Sequence, residues 1–191
     1  SLPEGGTTPG YGTISSARSN LSIGLHVIIR PRGGDFLYTE MEFQIIKQDV
    51  IVAKELGFKG VVIGLLKSDG RIDKIRTAEL VSLAKPMQVT FHRAFDRTKN
   101  LEKSLEKLIN CGFSTVLTSG GKSNVEEGKE MLQKLVGISA GRIDILCGGG
   151  LRSSNLVEIK NFTHAKSFHS SAILEGEFAD FHEITRLKSC F

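Results

Sequence analysis

Residues 87–96 read MQVTFHRAFD, and up to His92 they alternate: Val89 and Phe91 fall on one parity, Gln88, Thr90 and His92 on the other. A period of two marks a strand with one apolar and one polar face. Strands of an open parallel sheet are covered by helices on both sides and are therefore apolar on both parities. A polar parity between helical segments points instead to a barrel, whose lumen takes the polar side chains while helices cover the outside.

The neighbouring segments extend this pattern. Apolar runs at 24–30, 60–65, 114–118, 142–147 and 165–169 alternate with helical patterns at 40–56, 73–84, 100–111, 124–136 and 153–160. In 40–56, Phe43, Ile46, Val50, Ala53 and Leu56 recur at helical spacing. Asp73, Asn100 and Asn124 are placed as N-caps, the last with Glu127 three residues on. Gly57 and Gly112 stand where helix ends favour a left-handed residue. Strands separated by helices require parallel crossovers. The parity places Val27/Ile29, Thr115/Leu117, Ile143/Ile145 and Phe168 outward, and His26/Ile28/Arg30, Ser114/Val116/Thr118 and Ser167/His169 toward the lumen. Cys147 shares the parity of Ile143 and Ile145 and is expected under a helix. The expected fold is α/β, a TIM-type (β/α) barrel with about six of its eight strands. It forms a single domain: a lead-in over 1–23, six βα units over 24–171, and a tail over 172–191. Phe178, Phe181, Ile184 and Leu187 predict a helix in that tail.

Composition removes several functions. The 191 residues carry 25 Lys+Arg against 21 Asp+Glu, a net +4. The basic residues are scattered and lack interleaved aromatics, so nucleic acid is not an expected partner. The longest apolar run, 61–66, is far below the about 20 residues of a membrane-spanning helix. Three cysteines without CxxC spacing argue against a disulfide framework or a structural zinc site and suit a reducing cytosol.

Polar residues gather where strands end, which in a (β/α) barrel is the face that carries active sites. Arg30, Arg32 and Asp35 follow the first strand; His92, Arg93 and Asp96 end the third; Thr118 and Ser119 end the fourth; Gly148, Gly149 and Gly150 the fifth; His169, Ser170 and Ser171 the sixth. The glycines and the two serines would offer backbone N–H groups to an anion, with Arg30 and Arg32 as a clamp. Turn formation alone is the competing explanation for those glycines. Gly120-Gly121-Lys122-Ser123 lacks the glycine that a phosphate-binding loop requires at position 116 and is rejected. His92 and His169 are candidates for general base or metal ligand, with Asp96 able either to orient His92 or to pair with an arginine.

Taken together, Ile29-Arg30-Pro31-Arg32-Gly33-Gly34-Asp35-Phe36, Thr90-Phe91-His92-Arg93-Ala94-Phe95-Asp96, Leu117-Thr118-Ser119-Gly120 and Phe168-His169-Ser170-Ser171 resemble the CutC family of copper homeostasis proteins. The segment Glu4-Gly5-Gly6-Thr7-Thr8-Pro9 is also similar to that family. The resemblance implies a TIM-type barrel, often a homo-oligomer, in the cytoplasm and in eukaryotes also the nucleus, handling copper as Cu(I). It implies a pocket of Arg30, Arg32, Asp35, His92, Arg93, Asp96, Thr118, Ser119 and His169. Relative to the family, the chain is expected to start after two strands whose cysteines are the best Cu(I) donors. Two other readings stay open. One is an enzyme acting on a small phosphorylated or carboxylated metabolite. The other is a fragment without activity of its own, its outer strands left as edges.

Overall fold

The computed structural model describes residues 5–191. Glu4 of the quoted N-terminal segment lies outside them. Six parallel strands pair in simple sequential order: β1 (His26–Ile28), β2 (Gly60–Ile63), β3 (Gln88–Phe91), β4 (Thr115–Thr118), β5 (Asp144–Gly148) and β6 (Ser167–His169). Sequential parallel order with a helical crossover between neighbours is the arrangement of a (β/α) barrel, and six consecutive units of it are present.

The crossovers are α2 (Glu40–Glu55), α3 (Lys74–Ala84), α4 (Leu101–Cys111), α5 (Lys129–Ser139) and α6 (Leu156–Thr163), preceded by α1 (Tyr11–Asn20) and followed by α7 (Phe181–Lys188). Successive helices from α2 to α6 pack side by side over one face of the sheet. In α2 the residues at helical spacing, Phe43, Ile46, Val50 and Ala53, are the buried ones. Each large side chain among them contributes about 1.5–3 kcal/mol by leaving water. A reciprocal capping box starts α2: the Glu42 amide donates to the Thr39 hydroxyl at 3.2 Å and the Thr39 amide donates to the Glu42 carboxylate at 2.7 Å. Asp73 and Asn100 cap α3 and α4 as expected, and Gly57 and Gly112 take positive φ at 76° and 86°.

Two local expectations change. Asn124 and Glu127 do exchange hydrogen bonds at 2.8 and 2.9 Å, but α5 begins only at Lys129. The chain is first pressed against the end of β4, where a Cβ on Gly128 would overlap the Ser119 carbonyl. The parity of β4 is also the reverse of that expected. Val116 and Thr118 are fully buried, whereas Thr115 and Leu117 line the lumen, paired in register with Thr90 and Leu146. With Thr and Val or Leu on both parities, the sequence of β4 carries no alternation to read.

Candidate functional site

The lumen face of all six strands opens into one cavity of about 1300 Å³. Its floor includes His26, Gln88 and Asp144 at the strand starts, and its middle is mostly apolar, from Ile28, Val62, Leu117 and Leu146 with Thr90 beside Val62. Its mouth carries Arg30, His92, Arg93, Arg152 and His169 at the strand ends. The lumen is therefore polar at both ends and mostly apolar at mid-height, consistent with the mixed parity that put Ile28 among its lining residues.

His92 follows β3 and is 5% exposed. Its Nδ1 accepts the Ala94 amide at 3.2 Å, which puts the ring proton on Nε2, and Nε2 has no hydrogen-bond partner among the described residues. Burial, with the Arg30 charge adding to it, pushes its pKa down to about 3, so the imidazole is neutral. The ring leans on Phe36 at 4.8 Å and lies over Gly64, where a Cβ would overlap it. Gly64 thus makes room for the ring. His169 is exposed on the cavity wall, and the partial burial of its ring lowers its pKa too.

Asp96 pairs with an arginine rather than orienting His92. Its carboxylate accepts Arg93 Nε at 2.8 Å, Thr118 Oγ1 at 2.5 Å, Ser119 Oγ at 3.1 Å and the Gly121 amide at 3.0 Å. Arg93 also donates to Ser119 Oγ at 2.6 Å. These four side chains form one network that ties the short 3-10 turn at Arg93–Arg97 to the end of β4. Asp96 is saturated by donors, which leaves it no lone pair for His92.

The structure does not bring Arg32 and Asp35 into the cavity. Arg32 pairs with Asp35 at 2.9 Å and Glu42 at 2.5 Å and donates to the Leu37 carbonyl at 2.8 Å, stitching the loop after β1 to the start of α2. Arg30 does line the cavity, donating at 3.0 Å to the carbonyls of Gly6 and Gly34. An Arg30–Arg32 clamp is therefore not formed. Gly149, Gly150 and Ser171 line the mouth, while Gly148 is buried within β5. Ser170 lines it as well, but its hydroxyl is engaged, donating to the Leu151 carbonyl at 2.6 Å and accepting the Ala172 amide at 3.0 Å. Arg97, absent from the candidates, and Lys122, part of the rejected run at 120–123, also reach the cavity. Arg97 ends the run RAFDR, one residue beyond the stretch that identified the strand end.

None of the three cysteines lines the cavity. Cys147 is buried on the helix side of β5, as expected, and burial pushes its thiol up to about 12. Cys111 ends α4 with its thiol also raised by burial, and Cys190 donates to the Arg186 carbonyl in the tail. Among the described residues, no three His, Cys, Asp or Glu side chains cluster to hold a metal ion. No helix among them is long and apolar enough to cross a membrane.

The CutC family profile matches residues 1–174. A family protein CutC from Chromobacterium violaceum is 47% identical over 171 residues, which are 90% of this chain and 69% of that one. A mouse protein named copper homeostasis protein cutC homolog is 44% identical, over 90% of this chain and 63% of its own length. The crystal structure of CutC from Streptococcus agalactiae superposes with a TM-score of 0.84 at 34% identity, covering 88% of this chain and 83% of that one.

Proposed function

The chain belongs to the CutC family, and on that premise we propose that it acts in copper homeostasis. The observation that carries this reading is the mouse relative bearing that name at 44% identity over 90% of the chain. Copper is the cargo here. At its mouth the cavity offers it two imidazoles, His92 and His169, with His26 apart on the floor, and no thiolate, whereas Cu(I) favours soft sulfur donors. His92 would also have to surrender its Nε2 proton to become a ligand. The described residues therefore fit a tight Cu(I) thiolate site poorly, and this reading assigns the cavity only weak copper contact through the two histidines. The same reading places the protein in the cytoplasm, and in the nucleus of a eukaryotic cell, as a homo-oligomer.

Two measurements test the proposal. Cells lacking their own relative regain growth under copper stress when this chain is expressed; no gain in tolerance overturns the copper role. Reduced protein titrated with Cu(I) against a competing chelator shows weak binding that His169→Gln diminishes. Tight binding that is indifferent to this substitution would overturn the histidine assignment.

A further inference from the structure

Beside the end of β1, three side chains turn donor groups around one aromatic ring. The guanidinium carbons of Arg30 and Arg97 lie 4.8 and 5.2 Å from the Phe36 ring centre, and the His92 ring lies 4.8 Å from it. Arg97 is exposed and lines the cavity, and no carboxylate lies within ion-pair distance of it among the described residues. His92 holds its Nε2–H buried with no acceptor among those residues. A buried donor without an acceptor carries a desolvation penalty that an incoming oxygen would relieve.

Besides Asp96, the rest of the mouth carries Lys122 and Arg152 against one carboxylate, Glu127, which is held by the Asn124 amide at 2.8 Å. Lys122 and Arg152 form no ion pair among the described residues; the Arg152 guanidinium is bound to the Leu151 and Ile173 carbonyls at 2.7 and 2.8 Å. Asp96 is consumed by the network around Arg93, and Asp144 lies at the opposite end of β5. A concave mouth with excess positive charge concentrates anions.

We propose that the corner formed by Arg97, His92 and Arg30 binds the oxyanion group of a small metabolite, a phosphate monoester or a carboxylate. His92 Nε2–H donates to one oxygen, and the Arg97 side chain supplies the charged contact. The organic remainder extends into the lumen against Ile28, Val62 and Leu117, where the cavity has room for it. This site does not depend on the copper reading, and either can fail alone.

Glycerol 3-phosphate and succinate serve as probes in calorimetric titrations at matched ionic strength, each repeated on protein with 15N-labelled histidine. One of them binds at millimolar concentration or below and shifts the His92 Nε2 resonance, and which one does so separates phosphate from carboxylate. Arg97→Gln, at an exposed position that leaves the core untouched, weakens that binding by roughly tenfold. Lys54→Gln, on the far end of α2, leaves it unchanged. The proposal is overturned if neither anion moves the His92 resonance, or if R97Q binds as tightly as the parent, which would place any anion elsewhere on the mouth.

Discussion

His92 is wedged beneath Phe36 and over Gly64, and its protonation follows from that packing. Folding lowers its pKa from 6.5 to about 3, so between these values the unfolded chain binds a proton that the folded chain does not. Stability therefore falls as the solution is acidified below the unfolded pKa, by up to about 1.4 kcal/mol per pH unit for this residue. His26 and His169, also shifted down, add to the same trend. Urea unfolding at neutral and mildly acidic pH checks this: the parent loses stability on acidification, and His92→Gln loses much less. The position of His92 at a strand end could be read from parity alone. Its neutrality could not, because that depends on Arg30 and Phe36, which arrive from β1 and its following loop. Asp96 illustrates the same limit: both its candidate partners lay nearby in sequence, and the choice was made by Thr118, Ser119 and Gly121 arriving from β4.

Among the elements, those with strong periodicity matched their patterns and those without it did not. α2 buries the face its spacing marked, because one apolar stripe has one way to face the sheet. In β4 both parities mix Thr with an aliphatic residue, so only pairing with Thr90 and Leu146 decides which side faces the lumen. The delayed start of α5 comes from the close approach of Gly128 to Ser119. Gly128→Ala is expected to destabilise the fold by about 2 kcal/mol or more, since backbone must move. Gly137→Ala, within α5 and facing open space, should stabilise it by about 0.5–1 kcal/mol. Thermal or urea unfolding of the pair gives opposite signs. The tail helix α7 is anchored by a charge in addition to its apolar spacing. Phe178 and Phe181 are 83% and 75% exposed, whereas Glu183 is 1% exposed and accepts the Ser153 amide and hydroxyl, both at 2.7 Å. Glu183→Gln is expected to release α7, seen as faster limited proteolysis around residues 172–180 with little change in the unfolding of the remainder.

At the scale of the molecule, six βα units curl far enough to enclose a cavity, yet β1 and β6 each have a single strand neighbour among the described residues. Unpaired strand edges recruit other strands, and short edges do so weakly. Both edge strands are three residues long. Sedimentation velocity should therefore show weak, concentration-dependent self-association; a monomer at every concentration would contradict it.

The order of the strands, their parallel sense and the outward burial of α2 were set by the sequence itself, because hydrophobic period and crossover length are local properties of the chain. The family could be read there too, since its motifs are short runs at strand ends. What the cavity holds together was decided only in three dimensions. Arg32 left the strand end to pair with Glu42, Arg97 and Phe36 joined His92, and the cysteines stayed outside the lumen. Charge pairing, ring stacking and burial depend on neighbours from separate βα units, and no spacing along the chain encodes which of those neighbours meet.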